Sequence, residues 1–268
     1  MKFSIIIVTR DAGATIEACL ESLAAQTCAD FEVVIQDGLS TDDTLPIIEA
    51  FHGRHPRLAV RVWREKDAGV YDAMNRALDH ARGEWVLFLG GDDRLFAADT
   101  LLVLSRELAD DDDVVYGDVF SPRFNGRYAG RFSIDRILTG NICHQSILLR
   151  RRLFDRLGRF DLRFRLWADW EHNMRWFLSP DVRARYVDTV VAHYADGGLS
   201  SRGIDPVFAR EKPLFYVRHG RHSVPFRVKR QIVRQELAEA FASRDLPRWF
   251  RAIRTWPAVL ARVKHVAR

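Results

Sequence analysis

Residues 83–93, GEWVLFLGGDD, run an apolar stretch into two adjacent carboxylates, Asp92 and Asp93, with only Gly90 and Gly91 between. Two acids side by side at the end of a buried strand repel each other and lose solvation, so their placement demands a partner. A hard divalent cation is such a partner. Mg2+ or Mn2+ takes oxygen ligands and completes its shell with phosphate oxygens and water. One carboxylate then binds the ion and the other holds a sugar hydroxyl, while the preceding glycines let a bulky diphosphate approach the backbone. The sequence has no GxxxxGK[ST] and no GxGxxG after its first strand, so it does not hold phosphate in a glycine nest. Metal bridging is the remaining device.

Acidic and hydroxyl residues recur at equivalent places. Thr9-Arg10-Asp11 follows the apolar run 3–8 (FSIIIV), and Asp37-Gly38-Leu39-Ser40-Thr41-Asp42 follows 31–36 (FEVVIQ). Glu65-Lys66-Asp67 follows 58–63, and the glycine-aspartate pair follows 85–89. These runs and 114–116 read as strands; between them, 14–26, 42–53, 70–82 and 97–109 carry helical periodicity, with Ile16, Cys19, Leu20 and Leu23 on one face. Strands that are apolar throughout are buried on both faces, which predicts an α/β fold with a Rossmann-like, mostly parallel sheet. In such a sheet the strand ends share one edge, where ligands bind. Beyond 119 the rhythm changes: a hairpin is predicted over 119–132 around Asn125-Gly126, a helix over 168–178, strands over 183–194, a loop over 196–203 and helices from 205 onward. The acidic run 110–113 reads as a solvated turn before a strand.

The 268 residues, 47% hydrophobic and 29% charged, suit a soluble domain of ordinary composition with an appendage. No apolar run is long enough to cross a membrane, and the N-terminal run is too short for a signal peptide, so a cytoplasmic protein is expected. Cys19, Cys28 and Cys143 have no metal-binding spacing and are expected to be free thiols. The net charge of +5 hides a basic tail: residues 226–268 hold 11 Lys or Arg against 3 Asp or Glu. The expected organisation is 1–204 as the main domain, with halves 1–118 and 119–204, and 205–268 as a basic helical extension.

The segments IIIVTRD (5–11), VVIQDGLSTDDT (33–44), EKDAGVYDAMNRAL (65–78), ARGEWVLFLGGDD (81–93), HQSILLRRRLFDRLGRFD (144–161), ADWEHNMRW (168–176) and GGLS (197–200) come in one order over roughly residues 3–200. Together they resemble the family 2 glycosyltransferases of the GT-A fold. The resemblance implies a nucleotide-diphospho-sugar donor. Thr9, Arg10, Asp11, Asp37 and Asp67 would bind it, with Thr9 and Arg10 lining the base pocket and Asp37 accepting from the base. Asp92 would contact the ribose and Asp93 the metal, Mg2+ or Mn2+. Asp169 matches the general base that takes the acceptor proton during inversion. The sequence departs from the family pattern at Gly90, where an earlier acid is common, and near the MN segment, where the Arg that some members use against the phosphates is missing and Gly69 and Asp72 stand in that neighbourhood.

His193, after VVAHY, is a further candidate ligand for the metal or a phosphate. His144 is expected to help position the acceptor, Trp167 and Trp170 to stack on a sugar or join the core, and the GGLSSRG loop to close over the diphosphate. In the tail, Leu246, Trp249, Phe250, Ile253, Trp256, Leu260 and Val263 recur at helical spacing among Arg248, Arg251, Arg254, Arg262 and Lys264. Such a helix either lies on an anionic membrane surface or packs its apolar stripe on the body. No nucleic acid is expected, because no recognition motif accompanies the charge. The expected enzyme is an inverting, metal-dependent transferase for a glycan or lipid-linked acceptor in cell-surface polysaccharide synthesis, with UDP-sugar first and GDP- or dTDP-sugar open as donor. Its rivals are a sugar nucleotidyltransferase and a non-catalytic nucleotide-sugar-binding protein.

Overall fold

The computed structural model describes residues 1–128, 130–195, 203, 205–219 and 225–260. Strands β1 (Phe3–Thr9), β2 (Phe31–Asp37), β3 (Val60–Arg64) and β4 (Trp85–Gly90) are parallel, in the spatial order β3-β2-β1-β4. Their apolar runs are buried on both faces except at the edge strand β3, as the patterning predicts. Register fixes the functional edge: Thr9 lies beside Asp37 and Val8 beside Gly90, so three strands end level with one another. Helices α1 (Ile16–Ala24), α2 (Thr44–Arg54), α3 (Val70–Leu78) and α4 (Thr100–Glu107) make the crossovers, and α1 buries Ile16, Cys19, Leu20 and Leu23.

The sheet continues without a break through β5 (Arg94–Leu95), β6 (Val114–Ser121), β7 (Gly126–Tyr128), β8 (Ile147–Arg150) and β9 (Ala184–His193). The four-residue β8 is too short and too arginine-flanked to stand out in the sequence, yet it joins the two halves by running antiparallel between β4 and β6. Its direction puts the residues that precede it on the same edge as the ends of β1, β2 and β4. β6 extends well past the predicted 114–116 because Gly117 lets the β9 backbone come close; a Cβ there would collide with the Thr189 carbonyl. The hairpin at Asn125 (φ 55°) and Gly126 (φ 129°) forms where the Asn-Gly pair predicts it.

The solvated reading of the acidic run is corrected in part. Asp110 and Asp111 are exposed, but Asp112 and Asp113 are buried. Asp112 pairs with Arg185, and Asp113 with Arg152 and Arg156. Those cations come from segments far along the chain, so the local pattern could not reveal them.

The predicted 168–178 helix is α7 (Ala168–Phe177), preceded by the short α5 (Ile134–Thr139) and α6 (Leu153–Leu157). After β9 come α8 (Pro206–His219), α9 (Phe226–Ala242) and α10 (Leu246–Leu260), which pack on one another and reach the body through α7. Trp167 and Trp170 belong to that junction, edge-on to each other, with Phe208 of α8 edge-on to Trp167 and tilted against Trp170. Among the described residues no helix is long and apolar enough to cross a membrane, and all three cysteines are free thiols.

Candidate active site

The loops leaving β1 and β4, the start of α3 and the turn before β8 enclose a cleft of about 430 Å3. Thr9, Arg10, Asp11, Asp92 and Asp93 all line it, together with Tyr71, His144, Gln145, Arg165 and Tyr194. The β1 loop is held from behind by the DGLSTDDT segment. Asp11 takes the positive φ of 50°, accepts from the Thr41 amide at 2.8 Å and donates its own amide to Ser40 Oγ at 2.9 Å. The Ala12 and Gly13 amides donate to Thr44 Oγ1 and Asp42 Oδ2, each at 2.8 Å. Ser40, Asp42 and Thr44 thus shape the neighbouring loop.

Asp37 and Asp67 do not reach the lining. Asp37 is fully buried; its carboxylate accepts from the Ser40 amide at 2.9 Å and Thr9 Oγ1 at 3.2 Å, with Arg64 beside it at 3.8 Å. All of these partners organise the β1 and β2 loops, so in this structure Asp37 has no oxygen turned toward the cleft lining. Asp67 caps the Gly69 amide at 2.9 Å and leans over Gly38, which has no side chain to exclude it.

The two adjacent acids differ sharply. Asp92 is exposed, whereas Asp93 is buried and accepts three hydrogen bonds: from the Gly90 amide at 2.8 Å, Gln145 Nε2 at 2.9 Å and the Ala195 amide at 3.0 Å. Burial, and then the Asp92 charge, push the Asp93 carboxyl above the usual carboxylate range, against the pull of these donors. A cation beside the pair would relieve that penalty. Among the described residues no group of three His, Cys, Asp or Glu could enclose a metal. The donor set therefore fits an ion that takes one or two carboxylates and draws its remaining ligands from phosphate and water, as Mg2+ and Mn2+ do.

His193, the further candidate ligand, is the last residue of β9. Its ring lies against Phe96 and Phe120, with centroids at 4.9 and 5.4 Å, and it is absent from the cleft lining. Burial and Arg94 push its pKa down. β9 ends one residue before the chain turns into the cleft, so Tyr194 enters the lining and His193 faces the aromatic pair.

Asp169, in the first turn of α7, is buried at 5% exposure. Tyr71 donates to its Oδ1 at 2.7 Å, Asn141 Nδ2 donates to its Oδ2 at 2.8 Å, and His144 Nδ1 stands 3.4 Å from Oδ2. Asn141 is itself oriented by Asn173, whose amide donates to Asn141 Oδ1 at 2.8 Å. Burial and the Asp169 charge push the Tyr71 hydroxyl well above its ordinary value, so it remains a donor. Burial pulls His144 down, but the Asp169 hydrogen bond and the Asp169, Asp93 and Asp92 charges outweigh it and leave its pKa raised. Consecutive residues thus tie the two acid centres together: His144 contacts Asp169, and Gln145 contacts Asp93.

Tyr71, Asn141, Gln145 and Arg165 escaped the reading of the sequence. Tyr71 and Gln145 sit inside the EKDAGVYDAMN and HQSILL segments that carry the resemblance, which is the signal that points to them; Arg165 has none. Arg10 and Arg165 are exposed at the cleft and form no ion pair among the described residues. The GGLS segment lies outside the described residues.

A parallel-stranded α/β core with acid centres gathered at its strand ends is the architecture of a GT-A glycosyltransferase. The sequence profile of glycosyl transferase family 2 matches residues 4–163, and the chain belongs to that family. It is 47% identical over 218 residues to the PGL/p-HBAD biosynthesis glycosyltransferase of Mycobacterium bovis, spanning 79% of this chain and 84% of the relative. Among solved structures, S. aureus TarS 1-349 in complex with UDP-GlcNAc shares the fold at a TM-score of 0.68 and 23% identity, over 97% of this chain and 82% of that one. The mannosyltransferase PcManGT from Pyrobaculum calidifontis, in complex with GDP-Man and Mn2+, matches at 0.61 and 24% identity over 97% and 75%.

Proposed function

We propose that the cleft binds a nucleotide-diphospho-sugar and transfers its sugar, with inversion, to a hydroxyl of a glycan or lipid-linked saccharide. The observation that carries this reading is the His144-Gln145 step: both residues line the cleft, His144 contacting the buried Asp169 behind the lining and Gln145 contacting Asp93. Asp92 and Asp93 would hold Mg2+ or Mn2+ against the diphosphate, and the ion supplies charge neutralisation as the leaving group forms. Arg10 and Arg165 add positive charge at the cleft mouth. Thr9, Arg10 and Asp11 flank the nucleotide, and Asp37 and Asp67 act by holding the loops that shape its pocket.

Asp169 takes the proton of the acceptor hydroxyl as its oxygen bonds to the anomeric carbon and the bond to the diphosphate breaks. Tyr71 and Asn141 keep the carboxylate aimed, and His144 lies between it and the cleft. UDP-sugar is the first donor to test, because TarS is in complex with UDP-GlcNAc and aligns over 97% of this chain at a TM-score of 0.68; PcManGT with GDP-Man keeps GDP-sugar open. The relative named for PGL/p-HBAD biosynthesis supports a role in a biosynthetic glycosylation. The reaction is assigned to the cytoplasm. Incubating the enzyme with UDP-, GDP- and dTDP-sugars and Mn2+, with water and added glycosides as the hydroxyls that take the sugar, and measuring release of the nucleoside diphosphate tests the proposal. Release from one class is expected, and its absence from all three would refute a transferase of this kind.

A further inference from the structure

The C-terminal hairpin is inside out. On α10 the stripe Leu246, Trp249, Phe250 and Ile253, spaced as one helical face, is exposed. The opposite face, with Ala252 and Thr255 buried and Arg248 and Arg251 half-buried, is turned toward α8 and α9. Arg248 bridges Glu236 and Glu239 of α9, so ion pairs close the hairpin beside the small cluster of Val217 and Val233, while the α10 stripe is left in water. A helix stabilised by the body alone would present the reverse. Of the two alternatives for the tail, packing of this apolar stripe on the catalytic domain is thereby set aside for the described residues.

The exposure is concentrated. Seven of the thirteen large apolar side chains exposed among the described residues lie on α9 and α10, led by Phe241 at 81%, Leu246 at 66% and Phe250 at 58%. Phe241, Arg244, Leu246 and Trp249 line one groove at the hairpin turn. Arg227, Arg230 and Arg234 line a second surface along α9. Arg227, Arg234 and Phe241 recur every seven residues, two helical turns, so the arginine row runs along the same stripe into the apolar tip.

We infer that this hairpin is a docking surface for an anionic lipid bilayer, lying in the interface with Phe241, Leu246, Trp249 and Phe250 inserted among the acyl chains and the α9 arginines on the headgroups. Charge selects this occupant. Residues 226–255 carry eight Lys or Arg against three acids, of which Glu236 and Glu239 are paired with the Arg248 guanidinium and Asp245 accepts from the Arg248 backbone amide. A second copy would bring two unneutralised arginine rows together, whereas anionic headgroups neutralise them. Aromatic residues beside arginines also match the boundary between headgroup and hydrocarbon.

The test uses the full chain without nucleotide, so it is independent of the catalytic reading. The protein is sedimented with vesicles of phosphatidylcholine alone or mixed with phosphatidylglycerol, and its oligomeric state is measured by light scattering. Binding to the mixed vesicles, reduced by salt and weak on phosphatidylcholine alone, is expected. Replacing Phe241, Leu246 and Phe250 together by Ser abolishes it, and the triple variant Arg227→Gln, Arg230→Gln and Arg234→Gln weakens it about fivefold per arginine. Unchanged far-ultraviolet circular dichroism shows that each variant is folded. Failure of the wild type to sediment, equal binding by folded variants, or a dimer that the Ser variant dissolves would each overturn the inference, the last by assigning the face to a second copy.

Discussion

Replacing Asp169 by Asn separates the chemistry of this carboxylate from its place in the fold. The amide has the same shape. Its oxygen can take the Oδ2 position and accept from Asn141, while its NH2 donates to the Tyr71 oxygen, whose proton then passes to the Leu166 carbonyl 2.8 Å away. Two bonds to a charged acceptor become neutral ones, a loss of about 1 kcal/mol each, offset by no longer burying a charge. The melting temperature should therefore fall by no more than about 8 °C. The acceptor proton, however, loses its destination, and turnover should fall by about 10^2 to 10^4, or roughly 3 to 5 kcal/mol of barrier. The assay is transfer of labelled sugar at saturating donor, with thermal shift by the nucleoside diphosphate as the control for binding. Turnover within about tenfold of wild type in a folded variant would refute the general-base role. A variant that folds but no longer responds to nucleotide would show that Asp169 serves the donor instead.

Arg165→Ala removes an exposed, unpaired side chain, so the fold is unaffected while affinity for the nucleoside diphosphate drops about tenfold in titration calorimetry; unchanged affinity would place Arg165 outside the phosphate site. His172 is fully buried between Phe154 and Phe160, and burial followed by Arg175 pushes its pKa from 6.5 down to about 3, against a weak opposing contact with the Gly158 backbone. The folded state thus refuses a proton that the unfolded chain accepts, so its contribution is intact above pH 6.5 and is lost as pH falls from there toward 3, by about 1.4 kcal/mol per pH unit. Urea midpoints at pH 7 and pH 5 should diverge between wild type and His172→Leu, with the variant less acid-sensitive; parallel losses would contradict this.

The strand-end side of the cleft was legible because it is local. Each apolar run ends in its own polar loop, and parallel pairing alone brings Thr9, Arg10, Asp11, Asp92 and Asp93 to one edge. The side around Asp169 was only partly legible. Asp169 stood out through the family resemblance, but Asn141, Gln145 and Arg165 reach the site through the short antiparallel β8 and the turns around it, which leave no periodic signature. Carboxylates were recognised as a class without their environment. Asp37 and Asp92 look alike in sequence, yet one is enclosed by Ser40, Thr9 and Arg64 while the other is exposed, because only the tertiary fold supplies those partners. The same holds for His193, whose neighbours Phe96 and Phe120 come from strand ends far from it in the chain.

The pair at the end of β4 is best tested by titrating UDP and GDP into the wild-type protein and into Asp93→Asn, each in Mn2+ and in EDTA, with circular dichroism confirming that the variant is folded. The account predicts that one nucleotide binds the wild type in Mn2+ and loses most of its affinity in EDTA, and that the variant shows the weak, metal-independent binding in both. Equal affinity with and without the metal, or a folded variant that keeps the Mn2+ dependence, would contradict a cation held by Asp92 and Asp93.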